Sequence, residues 1–441
     1  MGCAAGSGGA AAYGRIMRDD SRLPTSPGFW RSPLRGPWFT SVLGLVLLVG
    51  ITLLFVTGLV SYAAYNPDLS PVNDKTPDKG ILGFYLFSWP TDPHWLYRLN
   101  QGVHVTLGVT LIPVLLAKLW SVVPKLFTLP PARSLAHALE RISLLLLVGG
   151  ALFEFTTGVL NVQLDYVFPG SFYPLHFYGA WVFFAAFVAH AVLKVPAAVR
   201  NLRRLREEGE PGPTPRSAPA PASAQELVSP RPDPATVSRR GALWFVGGGS
   251  LLLFATTAGQ SFDGLRRTAL LAPHGGADPG SGPNGFQINK TAAYAGITAA
   301  RTDQDAWRLV VTGPTGTVRL SRSRLAELPL HSSALPIACV EGWSTSDQWW
   351  RGVRLRDLAA LVGYEDDPPD VFVESLQQRG AFRHAALRAN QVADPRSLLA
   401  LYVNGEPLTP DHGYPARVIV PAAPGVLNTK WVARMTFGET R

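Results

Sequence analysis

The chain has 441 residues, 40 Lys and Arg against 31 Asp and Glu, and a hydrophobic share of 47%. That length suits two or three units of ~100–200 residues each, and two cysteines exclude a disulfide framework. The formal charge of +9 is gathered in short stretches beside apolar runs, which suits membrane orientation rather than a nucleic-acid partner.

Residues 1–38 read as a basic cytoplasmic tail that carries Arg15, Arg18, Arg22, Arg31 and Arg35. Its opening ("MGCAAGSGGAAAYGRI") is low in complexity, has Gly where a myristoylation signal needs Ser or Thr, and leaves Met17 as an alternative start. Five apolar runs follow: Phe39–Tyr65, Leu99–Ala117, Ile142–Leu164, Val167–Leu193 and Gly241–Gln260. Each approaches the ~20 residues that cross a bilayer as helix. Basic residues cluster before the first run, between the second and third, after the fourth and before the fifth. By the positive-inside rule the N-terminus is cytoplasmic and the chain after residue 261 is extracytoplasmic, with the cytoplasmic membrane as its location.

Ionisable side chains inside spans are costly and therefore point to function. The second span carries His104, and the fourth carries His176 and His190. Fourteen helical residues set His176 and His190 about 21 Å apart on nearly one face, the arrangement of two haem levels. His104 and His176 lie at similar depth and form the expected pair. His190 has no evident partner: Lys118 is a poor ligand, and His137 serves only if the third helix begins early. Glu154, mid-span, reads equally as a proton acceptor for quinol or as an interhelical hydrogen-bonding group. By helix count and histidine placement, residues 39–198 resemble the membrane cytochrome b family. The resemblance implies one haem b, with a second possible, and a quinone or quinol partner.

Residues 199–238 are rich in Pro, Ala and Ser and read as a disordered cytoplasmic linker. Ser238-Arg239-Arg240 then precedes the Gly-rich fifth run, so residues 239–262 combine a span with a twin-arginine-like export signal; positive-inside charges alone are the other reading.

From residue 285 short alternating runs bounded by turn residues predict strands: "WRLVVTG", "TVRLS", "DVFVES", "ALYVNGE", "ARVIVPA" and "WVARMTF". "SRLAELP", "RLRDLAALVG" and "ADPRSLLAL" predict short helices. The fold class is therefore an all-α transmembrane four-helix bundle plus a fifth span, followed by an α+β domain over 285–441.

Two blocks of that domain, "PIACVEGWSTSDQWWRGVRLRDLAALVG" and "LYVNGEPLTPDHGYPARVIVPAAPGVLNTKWVARMTF", resemble the sulfite oxidase superfamily of molybdopterin enzymes. The Cys-Val-Glu-x-Trp-Ser context is most similar to its periplasmic methionine-sulfoxide reductase branch. The resemblance implies that Cys339 ligates molybdenum, a task for which a soft thiolate is apt. It also implies that Arg417 and Lys430 anchor the pterin phosphate, with His412, Asn428 and Thr429 beside them. Ser375 falls where that branch has a small hydroxyl residue near the cofactor, and Asn289 aligns loosely with an upstream contact. Sulfite oxidases follow their cysteine with Asn and paired Arg; here Val340, Glu341, Gly342 and Trp343 follow, and a carboxylate repels sulfite. Arg351, Arg383 or His384 would have to compensate. Trp343, Trp349 and Trp350 either frame a site for a neutral oxide or belong to the core. The expected function is quinol-driven reduction of a small oxidised sulfur or nitrogen substrate. Sulfite-type oxidation feeding the membrane, and a catalytically idle anchored binding protein, are the alternatives.

Overall fold

The structure is a computed structural model that describes residues 23–73, 87–127, 134–162, 172–207, 232–271, 282–288, 290–378 and 383–439. Five helices among these residues are long and apolar enough to cross a membrane. They are α1 (Pro37–Ala63), α2 (Leu96–Val122), α3 (Leu135–Asn161), α4 (Tyr173–Glu207) and α5 (Arg239–Thr257). Pro37 opens α1 at a position whose missing N–H costs nothing. Ser238 caps α5, its hydroxyl accepting from the Gly241 N–H at 3.0 Å.

α1 packs against α2 and α4, α3 against α4, and α5 against α2. Glycines bring the helices close: a Cβ on Gly50 would stand 2.4 Å from Leu111, and one on Gly150 3.1 Å from Phe183. One difference from expectation is α4, which continues past Leu193 to Glu207. Its last turns, "RNLRRLRE", consist of strong helix formers, so the first residues of the expected linker are helical. The rest of that linker (208–231) and the start of the basic tail (1–22) lie outside the described residues. The remainder of the tail docks: the Arg35 guanidinium lies 4.1 Å above the Trp120 ring of α2 and donates to the Trp120 carbonyl at 3.2 Å.

Among its described residues the C-terminal unit holds ten strands in two sheets: β1 (Leu309–Gly313), β2 (Gly316–Leu320), β3 (His331–Leu335), β4 (Gln348–Arg354), β5 (Val371–Ser375), β6 (His384–Leu387), β7 (Leu398–Val403), β8 (Glu406–Pro407), β9 (Arg417–Ile419) and β10 (Val432–Phe437). One sheet runs β2-β1-β10-β5-β6, with β1 and β10 parallel. The other runs β3-β4-β7-β8, with β9 also paired to β7. Leu309, Val311, Val371, Val373, Leu399 and Leu401 are fully buried in one core.

All six predicted strand runs contain strands. "ADPRSLLAL" is corrected: it holds a turn and the start of β7 instead of a helix. Asp394 accepts from the Arg396 N–H at 2.8 Å, which ends the preceding short helix, and burial on both faces of β7 overrides the helix propensity of its leucines.

The segment after α1 straps the two units together. Asn73 pairs with Ala386 of β6 as a strand residue would, donating to its carbonyl at 2.8 Å and accepting from its N–H at 3.0 Å. Asn66 donates to Gln391 at 2.9 Å, and the Trp89 indole donates to the Ala422 carbonyl at 2.7 Å.

Candidate functional site: a cysteine cleft above a two-histidine cavity

Cys339 sits on the loop between β3 and β4 and is 2% exposed. The loop closes on itself: Cys339 N–H donates to the Trp343 carbonyl at 2.8 Å, and Gly342 N–H to the Cys339 carbonyl at 3.1 Å. Gly342 has φ +93°, a conformation that favours glycine. Glu341 bends back to accept from the Trp343 indole at 2.9 Å, and its carboxylate lies 3.5 Å from Cys339 Sγ. Burial, and then the Glu341 charge, push the Cys339 thiol well above its usual range. A thiolate in this place calls for a cation as partner.

The cleft beside Cys339 is lined by His412, Arg417, Asn428, Thr429 and Lys430, so five of the predicted residues converge. Arg417 is buried, its guanidinium 5.5 Å from the Trp350 ring, and its Nε has no partner. Burial pulls Arg417 down to about 9. Lys430 is held well below its usual range by burial and then by Arg417, and donates to the Lys290 and Asp411 carbonyls. His412 stacks on Phe286 at 3.9 Å, bonds the Asn284 carbonyl at 2.8 Å, and is lowered to about 4 by burial and then by Arg417. It is therefore neutral near pH 7. Asn428 Nδ2 and Thr429 Oγ1 are buried without hydrogen-bond partners.

Two buried cations and several orphaned polar atoms facing one cleft are the donor set that a phosphorylated, polar heterocycle requires. The residues present therefore fit molybdopterin, with Cys339 in the cleft wall.

Ser375 is not part of the cleft wall; its hydroxyl donates to the Lys430 carbonyl at 2.7 Å and so holds the anchor strand. Asn289 lies outside the described residues. Its neighbours Gln287, Ile288 and Lys290 line the cleft, as does Gln377. These four come from loops with no periodic signal. Trp343 lines the cleft, Trp350 is core, and Trp349 is 55% exposed. Arg351 and His384 lie off the cleft against Tyr402 and Phe372.

Below the loop, α1–α4 enclose a cavity of about 260 Å³ lined by His104, His176, Gly58 and Gly158, with Val340 also in its wall. The two imidazoles stand 6.4 Å apart between ring centres, with planes at 86°. Two metal–nitrogen bonds of ~2.0–2.1 Å, plus roughly 1.1 Å from each nitrogen to its ring centre, sum to roughly 6.3 Å. The spacing is thus one that two imidazoles sharing a single metal would have. Each Nδ1 is already engaged: His104 with Thr57 Oγ1 and His176 with Thr157 Oγ1, both at 3.0 Å. These hydroxyls donate onward to the Leu53 and Phe153 carbonyls at 2.7 and 2.8 Å. They therefore accept from Nδ1–H, which leaves each Nε2 as the unprotonated nitrogen that a metal would need. Gly58 and Gly158 leave room for the rings, at 3.2 and 3.3 Å from a would-be Cβ. These observations fit a haem.

Glu154 also meets His176 Nδ1, at 3.1 Å, in space left by Gly179. His190 does not line the cavity. Lys118, fourteen residues after His104, turns its amine to the Thr40 carbonyl at 2.6 Å. The side chain of His137 lies outside the described residues.

Comparison with known proteins locates the C-terminal unit. Residues 295–441 match the family described as oxidoreductase molybdopterin binding domain. An uncharacterized oxidoreductase of Bacillus subtilis, YuiH, is 33% identical over 136 residues, covering 31% of this chain and 67% of that protein. Mitochondrial sulfite oxidase of Rattus norvegicus is 32% identical over 160 residues, 30% of this chain and 29% of the oxidase. The sulfane dehydrogenase SoxCD of Paracoccus pantotrophus is similar over 32% of this chain and 40% of that chain, at 22% identity and a TM-score of 0.29. The chain thus spans less than a third of the length of the sulfite oxidases it matches.

Proposed function

The chain belongs to the molybdopterin-binding oxidoreductases related to sulfite oxidase, and from that premise we propose that it is a membrane-anchored reductase of sulfoxide-type or N-oxide-type compounds driven by quinol. The observation that carries this reading is the stacking of two sites: the wall of the two-histidine cavity includes Val340, the residue after Cys339.

Molybdenum on the pterin would supply two-electron oxygen-atom transfer, and a haem between the histidines would supply one-electron steps to it. Cys339 would hold the metal. Arg417 and Lys430 would neutralise the phosphate, with His412, Asn428 and Thr429 as partners. His104 and His176 would hold the haem through Nε2, with Thr57 and Thr157 orienting their rings. The balance closes: quinol gives two electrons and two protons, the substrate S–O or N–O bond breaks, and the oxygen leaves as water. Glu341 beside Cys339 disfavours an anionic substrate and favours a neutral one. On this reading the two sites lie in and above the cytoplasmic membrane with the C-terminal unit extracytoplasmic, which the five long apolar helices and the positive charges flanking them support.

The test is a visible spectrum of detergent-purified, dithionite-reduced protein titrated with methionine sulfoxide, with molybdenum and haem quantified on the same sample. Reoxidation of a b-type band with about one metal per chain supports the reading. Protein that carries both groups but is reoxidised by no sulfoxide or N-oxide sinks the reductive direction. Similarity to sulfite oxidases favours oxidation as the second reading; sulfite-driven reduction of the same band would establish it.

A further inference from the structure

Gln101 is 7% exposed and stands on α2 one turn before His104, where a purely membrane-facing helix has no need of an amide. Its amide works across the boundary between the two units. Ser61 of α1 donates to its Oε1 at 2.7 Å, and its Nε2 donates to the Val340 carbonyl. A carbonyl only accepts, so the amide N–H must face Val340 on the Cys339 loop, which leaves Oε1 to accept from Ser61. The other side of the loop is seated as closely. A Cβ on Gly342 would stand 2.6 Å from Val105 Cβ, and Ser261 donates to the Gly342 carbonyl at 3.1 Å. Residues 101 and 105, on either side of His104 in the chain, thus contact residues 340 and 342, which follow Cys339.

We infer that Gln101 is a positioning residue for interdomain electron transfer, holding the Cys339 loop against the His104 helix so that Cys339, Val340, the hydrogen bond and Gln101 form one continuous path to His104. The inference rests on the haem–molybdenum relay proposed above. An electron from a haem held by His104 would pass to a metal held by Cys339, and the path itself would carry no proton. Bonded and hydrogen-bonded routes conduct far better than a gap, so loss of the amide opens the weakest joint.

The test needs no substrate. A laser flash with a deazaflavin photoreductant reduces the haem of the purified holoenzyme, and its absorbance then relaxes as the electron passes to molybdenum. Gln101→Leu keeps the bulk and removes both hydrogen bonds. The relaxation is expected to slow at least about tenfold, on the pattern of small misplacements, with haem spectrum and molybdenum content retained. Ser61→Ala, which frees the amide to turn without removing it, should slow it by a smaller factor and serves if the first variant fails to assemble. Hydrogen exchange of the 338–345 backbone should rise in both. Wild-type relaxation in Gln101→Leu holoenzyme overturns the inference and leaves the relay standing. No relaxation in the wild type, with both groups bound, overturns the relay and the inference with it.

Discussion

Thr57 and Thr157 make the same bond from opposite sides of one cavity, each with its hydroxyl 3.0 Å from Nδ1 of a histidine on the next helix, His104 or His176. Each is followed by a glycine that leaves space for that ring. The pairs α1–α2 and α3–α4 are therefore two copies of one device for presenting Nε2.

Replacing Thr57 by alanine removes the hydroxyl that sets the His104 tautomer, while Thr157→Ala removes one of two acceptors, since Glu154 still meets His176 Nδ1. Haem affinity should fall about 10–100-fold, the usual cost of losing an outer partner of a ligating histidine. Titration of haem into apo-protein, followed by the Soret band, measures it. Equal affinity in both variants would show that packing alone sets the rings.

Cys339→Ser keeps the size of the side chain and replaces a soft ligand by a hard one. Turnover should fall by more than the roughly 100-fold upper end of outer-partner changes, with the haem band unaltered. Dye-driven reductase assays beside the reduced spectrum check both halves.

Arg417→Met should act with opposite signs on two quantities. The buried guanidinium has no counter-ion among the described residues, so its removal should raise the melting temperature of cofactor-free protein. Removing it should weaken cofactor retention by about 2–5 kcal/mol, the range for one partner of a buried charged pair. Molybdenum content after gel filtration and melts of protein made without the cofactor separate the two effects.

His412 ties stability to pH. Its pKa lies near 4 in the fold against 6.5 for the free side chain, so below 6.5 the unfolded chain binds the extra proton. The stabilisation is complete above pH 6.5 and is lost as pH falls towards 4, up to roughly 3 kcal/mol. Melting of cofactor-free protein from pH 7 to 4 should show this loss, and His412→Gln should reduce it. An unchanged slope in the variant would assign the loss elsewhere.

Gly342→Ala places a side chain where φ is +93° and Val105 leaves no space. A destabilisation of about 1–3 kcal/mol follows from the strained conformation, before any cost of displacing α2. Thermal melts of the holoenzyme measure it.

Much of this architecture is written locally. Uncharged runs announce the helices, and Cys339, His104 and His176 stand out because a lone thiol in its motif and imidazoles in a span are rare for physical reasons. Arg417 and Lys430 were legible only through resemblance, since by themselves they read as surface charges. Lys290, Gln287 and Gln377 reach the cleft from separate loops, and no periodicity marks them. Gln101 was invisible for a further reason: it contacts the loop of another domain, and nothing near it in the chain reveals that partner. The helix expected over "ADPRSLLAL" failed because strand burial outweighed leucine's helical preference.

The strap after α1 has a bearing on how the protein is made. Asn66, Asn73 and Trp89 are synthesised long before Gln391, Ala386 and Ala422, the groups they bond. Until the C-terminal unit arrives, that strap has donors and an indole with nowhere to go. The groups that join the two units are thus more than 300 residues apart in the chain, so these bonds form only once the C-terminal unit has folded. A chain stopped after α5 should display its unmatched strap to chaperones and proteases.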